Sequence, residues 1–203
     1  MKSGRNYSKS IESINRMILD AKEFECKEEE LIDYLIDLIA LDIKHDCLAN
    51  VIYGRESFDL INCFPNEYID EKWKKQKVVA SKEVEVDFSK VRTFSIPWNR
   101  IRIPKNLAYL RDKKFCFQKN NHGAFYYPEV NICYVHNGRH LASIAISKND
   151  GKIKAEKISL KPLFSNVRTD GCKWYSTHAE IELGEVSDFR FALLFELAKM
   201  KYK

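Results

Sequence analysis

The sequence contains no uninterrupted apolar stretch of the roughly 18 residues that a membrane-spanning helix needs. Its opening, MKSGRNYSKS, has no apolar segment of the kind that directs secretion, so neither membrane insertion nor export is expected, and the expected location is the cytoplasm. Glycine and proline are scarce, with 7 and 5 copies in 203 residues, which excludes a collagen-like or Pro/Gly-rich disordered polymer. The six cysteines, at 26, 47, 63, 116, 133 and 172, include no CxxC pair and no tight Cys/His spacing. That pattern predicts reduced, mostly buried thiols in place of a disulfide frame or a zinc site. What is there is a globular composition, 45% hydrophobic and 31% charged. A chain of this length buries roughly 70% of its unfolded surface, enough for one or two domains.

Charge is unevenly spread. Residues 21–70 carry 4 basic and 13 acidic side chains, whereas residues 71–120 carry 14 and 5. Opposed blocks of this kind either attract each other within the fold or present faces to partners. The basic block suits nucleic acid, with Lys74, Lys75, Arg100 and Arg102 as contact residues and with Trp73 and Trp98 interleaved, as on single-strand-binding surfaces. The acidic helix from Glu28 to Ile43 suits a protein partner.

Ile11, Ile14, Met17, Ile18 and Ala21 recur at spacings of three and four, which predicts an amphipathic helix from about Ser8 to Phe24. A second, largely buried helix is expected to follow, with glutamates in its first turn and Gly54 as its stop. The segment EKWKKQK, residues 71–77, reads as a solvated connection. The period then changes to two. Val84, Val86 and Phe88 predict one strand, and Val91, Phe94 and Ile96 a second. A short helix is expected around Leu107–Arg111, strands at Phe115–Gln118, Ile132–Val135 and Lys154–Leu160, and a closing helix from about Ser187 to Met200.

The segment NICYVHNGRHLASIAIS, residues 131–147, holds the most chemistry. An apolar run meets Asn137-Gly138 and passes into the helical spacing Leu141, Ile144, Ala145, which reads as strand, tight turn, helix. The first N–H groups of a helix have no partner within it and favour an anion. Asn137 and Gly138 form the turn, Arg139 can grip phosphate oxygens bidentately, and Ser143 can add a hydroxyl from the next turn. His140 is the candidate for proton transfer. The competing reading is a purely structural Asn-Gly turn.

The NGRH turn resembles the phosphate loop of the ParB and sulfiredoxin-like superfamily, whose members bind nucleotide phosphates at this kind of helix start. In that resemblance Gly138 stands for the loop glycine and Arg139 and His140 for its basic pair. Asn137 stands where an acidic residue is common, and the order Arg-His is reversed from the frequent His-Arg. No cysteine lies in the loop, so the resemblance implies no reductase chemistry. The stretch from SIPW at Ser95 through NNH, YYPE, NGRH and TDG to FRFALLFELAK also resembles an uncharacterised bacterial domain family, over about the last 110 residues. That resemblance passes through His122, which becomes a second candidate for proton transfer.

Thr169-Asp170-Gly171 is a hairpin signal; its functional reading has Asp170 orienting a histidine or holding Mg²⁺ beside a nucleotide phosphate. Glu129 is a further carboxylate candidate, and His178 is expected to face solvent. The chain is thus expected to be α+β: an N-terminal helical pair packed on a small mixed β-sheet that carries a ParB-like strand-turn-helix. The expected regions are 1–75, helical, and 76–203, α+β. The expected function is binding of a phosphate on a nucleotide or nucleic acid, with phosphoryl transfer or phosphodiester hydrolysis if catalysis follows. The alternative is a non-catalytic nucleic-acid-binding or protein-interaction module.

Overall fold

The computed structural model describes residues 2–53 and 62–202, with side chains from Asn6 onward; Gly54 lies outside the described residues. In chain order the elements are α1 (Lys2–Glu23), α2 (Glu28–Tyr53), β1 (Glu67–Ile69), β2 (Lys75–Lys77), β3 (Glu83–Asp87), β4 (Arg92–Ser95), α3 (Arg102–Tyr109) and β5 (Gly123–Tyr127). There follow β6 (Ile132–Asn137), α4 (Arg139–Ser147), β7 (Lys152–Lys157), α5 (Lys161–Phe164), β8 (Val167–Thr169), β9 (Lys173–Ser176), β10 (Glu182–Glu185) and α6 (Phe189–Lys201). The fold is α+β, with the helical pair at its N-terminus. No helix among the described residues is long and apolar enough to cross a membrane.

The chain forms two compact units, each drawn from separated stretches. The first comprises Met1–Ile39, Asn62–Val79 and Ser159–Lys203; the second comprises Ala40–Ile61 and Ala80–Ile158. Both of the expected regions, 1–75 and 76–203, therefore contribute to each unit, and α2 runs from one into the other.

In the first unit α6 is the central element. Phe191, Ala192, Leu193, Leu194, Phe195, Leu197 and Ala198 are all buried, so the helix is apolar nearly all round, as a core helix must be. Asp188 caps its N-terminus by accepting from Arg190 N–H. Phe64 and Trp174 join its Phe191 and Phe195 in an aromatic cluster, Trp174 meeting Phe195 edge-on at 5.3 Å between centroids. Helix α1 packs along α6 through a narrow stripe: its buried residues, Tyr7, Ile14 and Ala21, recur every seventh position. Two small antiparallel sheets, β1-β2 and β10-β9-β8, complete the unit. The β1-β2 hairpin occupies part of the lysine-rich stretch expected to be a plain connection. Asp70 makes it by accepting from Lys72 N–H and Lys74 N–H, with Trp73 in the left-handed region at φ 62°.

The second unit is built on a five-stranded mixed sheet of order β3-β7-β5-β6-β4, in which β5-β7 and β4-β6 are parallel pairs. Strand β6 has neighbours on both edges, and Ile132, Cys133, Tyr134 and Val135 are fully buried in succession. That accounts for the unbroken apolar run, which a half-exposed strand would not show. Helix α4 leaves β6 and lies against β4, burying Ala142, Ile144, Ala145 and Ile146. One expected strand is absent: Phe115–Gln118 is irregular, and the strand instead begins at Gly123. Phe115 serves as a core plug against Phe88, and the Gln118 carbonyl closes a turn by accepting from Asn121 N–H and His122 N–H.

Candidate functional site

The strand-to-helix turn lies in the second unit and opens on a hollow of about 660 Å³. Gly138 makes the turn at φ 74°, a left-handed conformation that L side chains rarely adopt. A Cβ there would lie 2.2 Å from His122 Cδ2 and 2.7 Å from the Asn121 carbonyl oxygen. The glycine is thus fixed by the NNH loop, which folds directly over NGRH and brings His122 beside the turn. Asn137 Oδ1 accepts from Gly138 N–H. The first intrahelical bond of α4 runs from Ala142 N–H to the Gly138 carbonyl, and no side chain caps the helix. The N–H groups of Arg139, His140 and Leu141 accordingly precede the helical ladder, at the positive end of its dipole.

A second loop approaches from β4. Ser95 Oγ donates to the Arg139 carbonyl, and Asn99 N–H donates to His140 Nε2 at 2.9 Å. Trp98 packs edge-on against the His140 ring, 5.2 Å between centroids, and the Arg102 guanidinium lies 5.6 Å from the indole centre. Arg139 Nε donates to the His136 carbonyl, which leaves the guanidinium's terminal nitrogens for other partners. Neither Arg102 nor Arg139 forms an ion pair with a described residue.

The lining is one-sided in charge. It holds Arg102, Arg139, three histidines (122, 136 and 140) and five side-chain amides, with no carboxylate among the described residues. Two guanidinium groups with no carboxylate in the lining, together with a helix N-terminus, suit a multiply charged anion. Burial governs the histidines. Burial, then Arg102 and Arg139, hold His140 below its ordinary value, and burial does the same for His122. Burial lowers His136 too, Glu156 opposing and Arg139 adding to the effect. No group of three or more His, Cys, Asp or Glu among the described residues is placed to hold a metal ion.

A family model matches residues 2–203, almost the whole chain. The chain belongs to a family of unknown function, DUF6710. The match takes in the N-terminal helices as well as the C-terminal stretch that carries the motifs. No curated protein and no solved structure matches the chain.

The expected site residues divide. Asn137, Gly138, Arg139, His140, His122 and Arg102 all line the hollow. Ser143 does not: it is buried one turn in, and its hydroxyl donates to the His140 carbonyl. Asp170 belongs to the first unit, where its carboxylate accepts from Cys172 N–H, Lys173 N–H and the Tyr175 hydroxyl. Partial burial pushes that carboxyl up, but these bonds outweigh it and hold it below the usual range. Gly171 beside it packs on Tyr7, whose Cγ would lie 2.2 Å from an added Cβ. The TDG motif is therefore a turn with its polar groups spent. Lys74 and Lys75 also lie in the first unit, Lys75 pairing with Glu67 at 2.6 Å, while Arg100 is an exposed residue of the second. Glu129 is buried and does not line the hollow, and His178 is half-buried with Nε2 2.8 Å from Asn166 Oδ1.

The proton-transfer roles meet a geometric obstacle. His140 Nε2 already accepts from Asn99 N–H, and His122 Nδ1 accepts from Gln118 N–H at 2.9 Å. Each ring has its lone pair committed to the backbone and keeps only an N–H to offer. His136 was missed from sequence. It stacks on Phe125 at 4.5 Å between centroids, and its one signal was its place at the polar end of the β6 run. The amides of Asn106 and Gln118 were missed as well, because they come from segments with no motif.

Proposed function

We propose that the hollow binds a phosphate group carried by a nucleotide or by nucleic acid, and that it binds without cleaving. The observation that carries this reading is the lining: two guanidinium groups, helix-start amides and imidazole N–H donors converge, and no carboxylate among the described residues balances them. Backbone amides and arginine are the usual partners of phosphate oxygens. The likeness of NGRH to the ParB and sulfiredoxin-like phosphate loop supports the same reading. So do the histidines, which offer donors rather than a base. We read the protein as a bacterial and cytoplasmic one, in keeping with six cysteines that are all free thiols.

A thermal-shift series with inorganic phosphate, nucleoside phosphates and a short single strand, each with and without Mg²⁺, tests the reading. A ligand at about 100 times its Kd stabilises the protein by roughly 2.7 kcal/mol, and Arg139→Ala should cut that shift to about half or less. Equal shifts in the parent and the variant would remove the site.

A second reading is favoured by one contact, the Arg102 guanidinium over exposed Trp98, a pairing common on single-strand-binding surfaces. In it Arg100 and Arg102 of the second unit, with Trp98, track a nucleic-acid backbone. Steep salt dependence and survival of binding in His140→Ala would distinguish it.

A further inference from the structure

The site has an aromatic wall that phosphate alone does not use. Trp98 is 56% exposed, although Ser95, Ile96 and Pro97 immediately before it are buried. It is held in place on both sides: the following residue, Asn99, donates its N–H to His140 Nε2, and the indole rests edge-on against the same ring. A large aromatic face held half in water at the mouth of a cationic hollow is open to a flat partner. The Arg102 guanidinium lies over the indole, covering part of one face and adding a second planar, cationic group to the wall. Asn106 and Asn120 line the same hollow, and their side-chain amides form no hydrogen bond with a described residue. Each brings one acceptor and two donors, the groups needed at the edge of a heterocycle. A hollow of about 660 Å³ also exceeds what a phosphate fills and lies within the range of small-ligand sites.

We propose that the hollow takes a nucleotide, its phosphate against Arg139 and the first amides of α4 and its base stacked on Trp98. The proposal rests on the phosphate reading of the same site and deepens it: the base has its own seat, on Trp98, and contributes to affinity beside the phosphate. Free nucleotides and phosphorylated strand ends share that chemistry.

Titration calorimetry with ribose 5-phosphate, adenosine 5′-monophosphate, uridine 5′-monophosphate and a 5′-phosphorylated trinucleotide separates the possibilities. The parent protein, Trp98→Ala and Trp98→Phe are compared, with thermal melts to show that each variant folds. Both nucleotides should bind about tenfold or more tightly than ribose 5-phosphate, within the range of base–aromatic stacking. Trp98→Ala should shrink that advantage to less than about threefold, and Trp98→Phe should keep most of it. A trinucleotide that binds more tightly than the mononucleotides identifies a strand end as the source; equal or weaker binding identifies the free nucleotide. Equal affinity for nucleotides and ribose 5-phosphate, or an advantage untouched by Trp98→Ala, overturns the base site and leaves the phosphate reading standing. Failure of ribose 5-phosphate to bind at all, or indifference of its binding to Arg139→Ala, removes the phosphate reading itself.

Discussion

Two turns in this protein have the same local design and opposite outcomes. Asn137-Gly138 and Asp170-Gly171 each place a glycine at positive φ, 74° and 83°, after an Asx residue at the end of a strand. At the second, the carboxylate is turned back on its own hairpin: Asp170 accepts from two backbone amides and a tyrosine, and Gly171 is sealed against Tyr7. At the first, the Asn137 side chain accepts only from the adjacent amide, the next three N–H groups belong to an uncapped helix, and Arg139 has no carboxylate partner among the described residues. An Asx-Gly pair alone therefore does not distinguish a staple from a site. What distinguishes them is whether the chain that follows returns to satisfy the turn, as β9 does, or leaves as a helix whose start stays open.

Adding a methyl group to each glycine is the harshest test of that contrast. Gly171→Ala combines a left-handed strain with overlap on Tyr7, and Gly138→Ala the same strain with overlap on His122 and the Asn121 carbonyl. Each should cost roughly 3 kcal/mol of stability in chemical or thermal unfolding. Only Gly138→Ala should also lose ligand, since it displaces a residue of the hollow. A loss of phosphate affinity in folded Gly171→Ala would break the distinction.

Truncating the charged residue of each turn gives a smaller pair of effects that differ in affinity. Arg139→Ala removes charge-assisted bonds worth about 1.5–3 kcal/mol, so phosphate affinity should fall about tenfold or more, and losing the Nε bond to the His136 carbonyl should cost about 1 kcal/mol of stability. Asp170→Ala should cost a similar ~1 kcal/mol of stability and leave affinity alone. Calorimetry and melting curves on the two variants suffice, and a drop in affinity for Asp170→Ala would return that carboxylate to the site.

How much of this was legible beforehand follows from the range of the forces involved. The NGRH turn could be read because its signals are local: an apolar run buried on both faces, an Asn-Gly pair, then Leu141, Ile144 and Ala145 at helical spacing. The bonds of Asp170 were hidden for a different reason. Its partners, Cys172, Lys173 and Tyr175, lie within five residues, yet they become partners only once the hairpin closes. The β5 strand was displaced because Phe115 fills core space rather than a ladder position, which hydrophobicity alone does not reveal. The committed lone pairs of His122 and His140 were out of reach, since Gln118 and Asn99 donate through the backbone and carry no side-chain signature.

Acid should separate the two turns most gently, and in a fixed order. His122, His136 and His140 have folded values depressed below 6.5, mainly by burial, so the folded protein binds fewer protons than the unfolded chain just below that pH. Their contribution is fully present above about pH 6.5 and is lost as the pH falls through the depressed folded values. Asp170, depressed below 3.8, contributes stability that persists to much lower pH and is lost only as its own folded value is passed. Weakening on acidification should thus begin at the hollow, as the Asn99 and Gln118 amides lose their imidazole acceptors, while the TDG hairpin is still intact. Imidazole ¹⁵N spectra across pH 4–8 read this directly: His140 should be protonated at Nδ1 and His122 at Nε2 near neutrality, each titrating below 6.5. Added phosphate should move both titrations upward, because a bound anion favours the imidazolium. An unliganded His140 that titrates at or above 6.5, with its proton on Nε2, would mean that its lone pair is free for catalysis after all, and the two turns would then differ in chemistry as well as in openness.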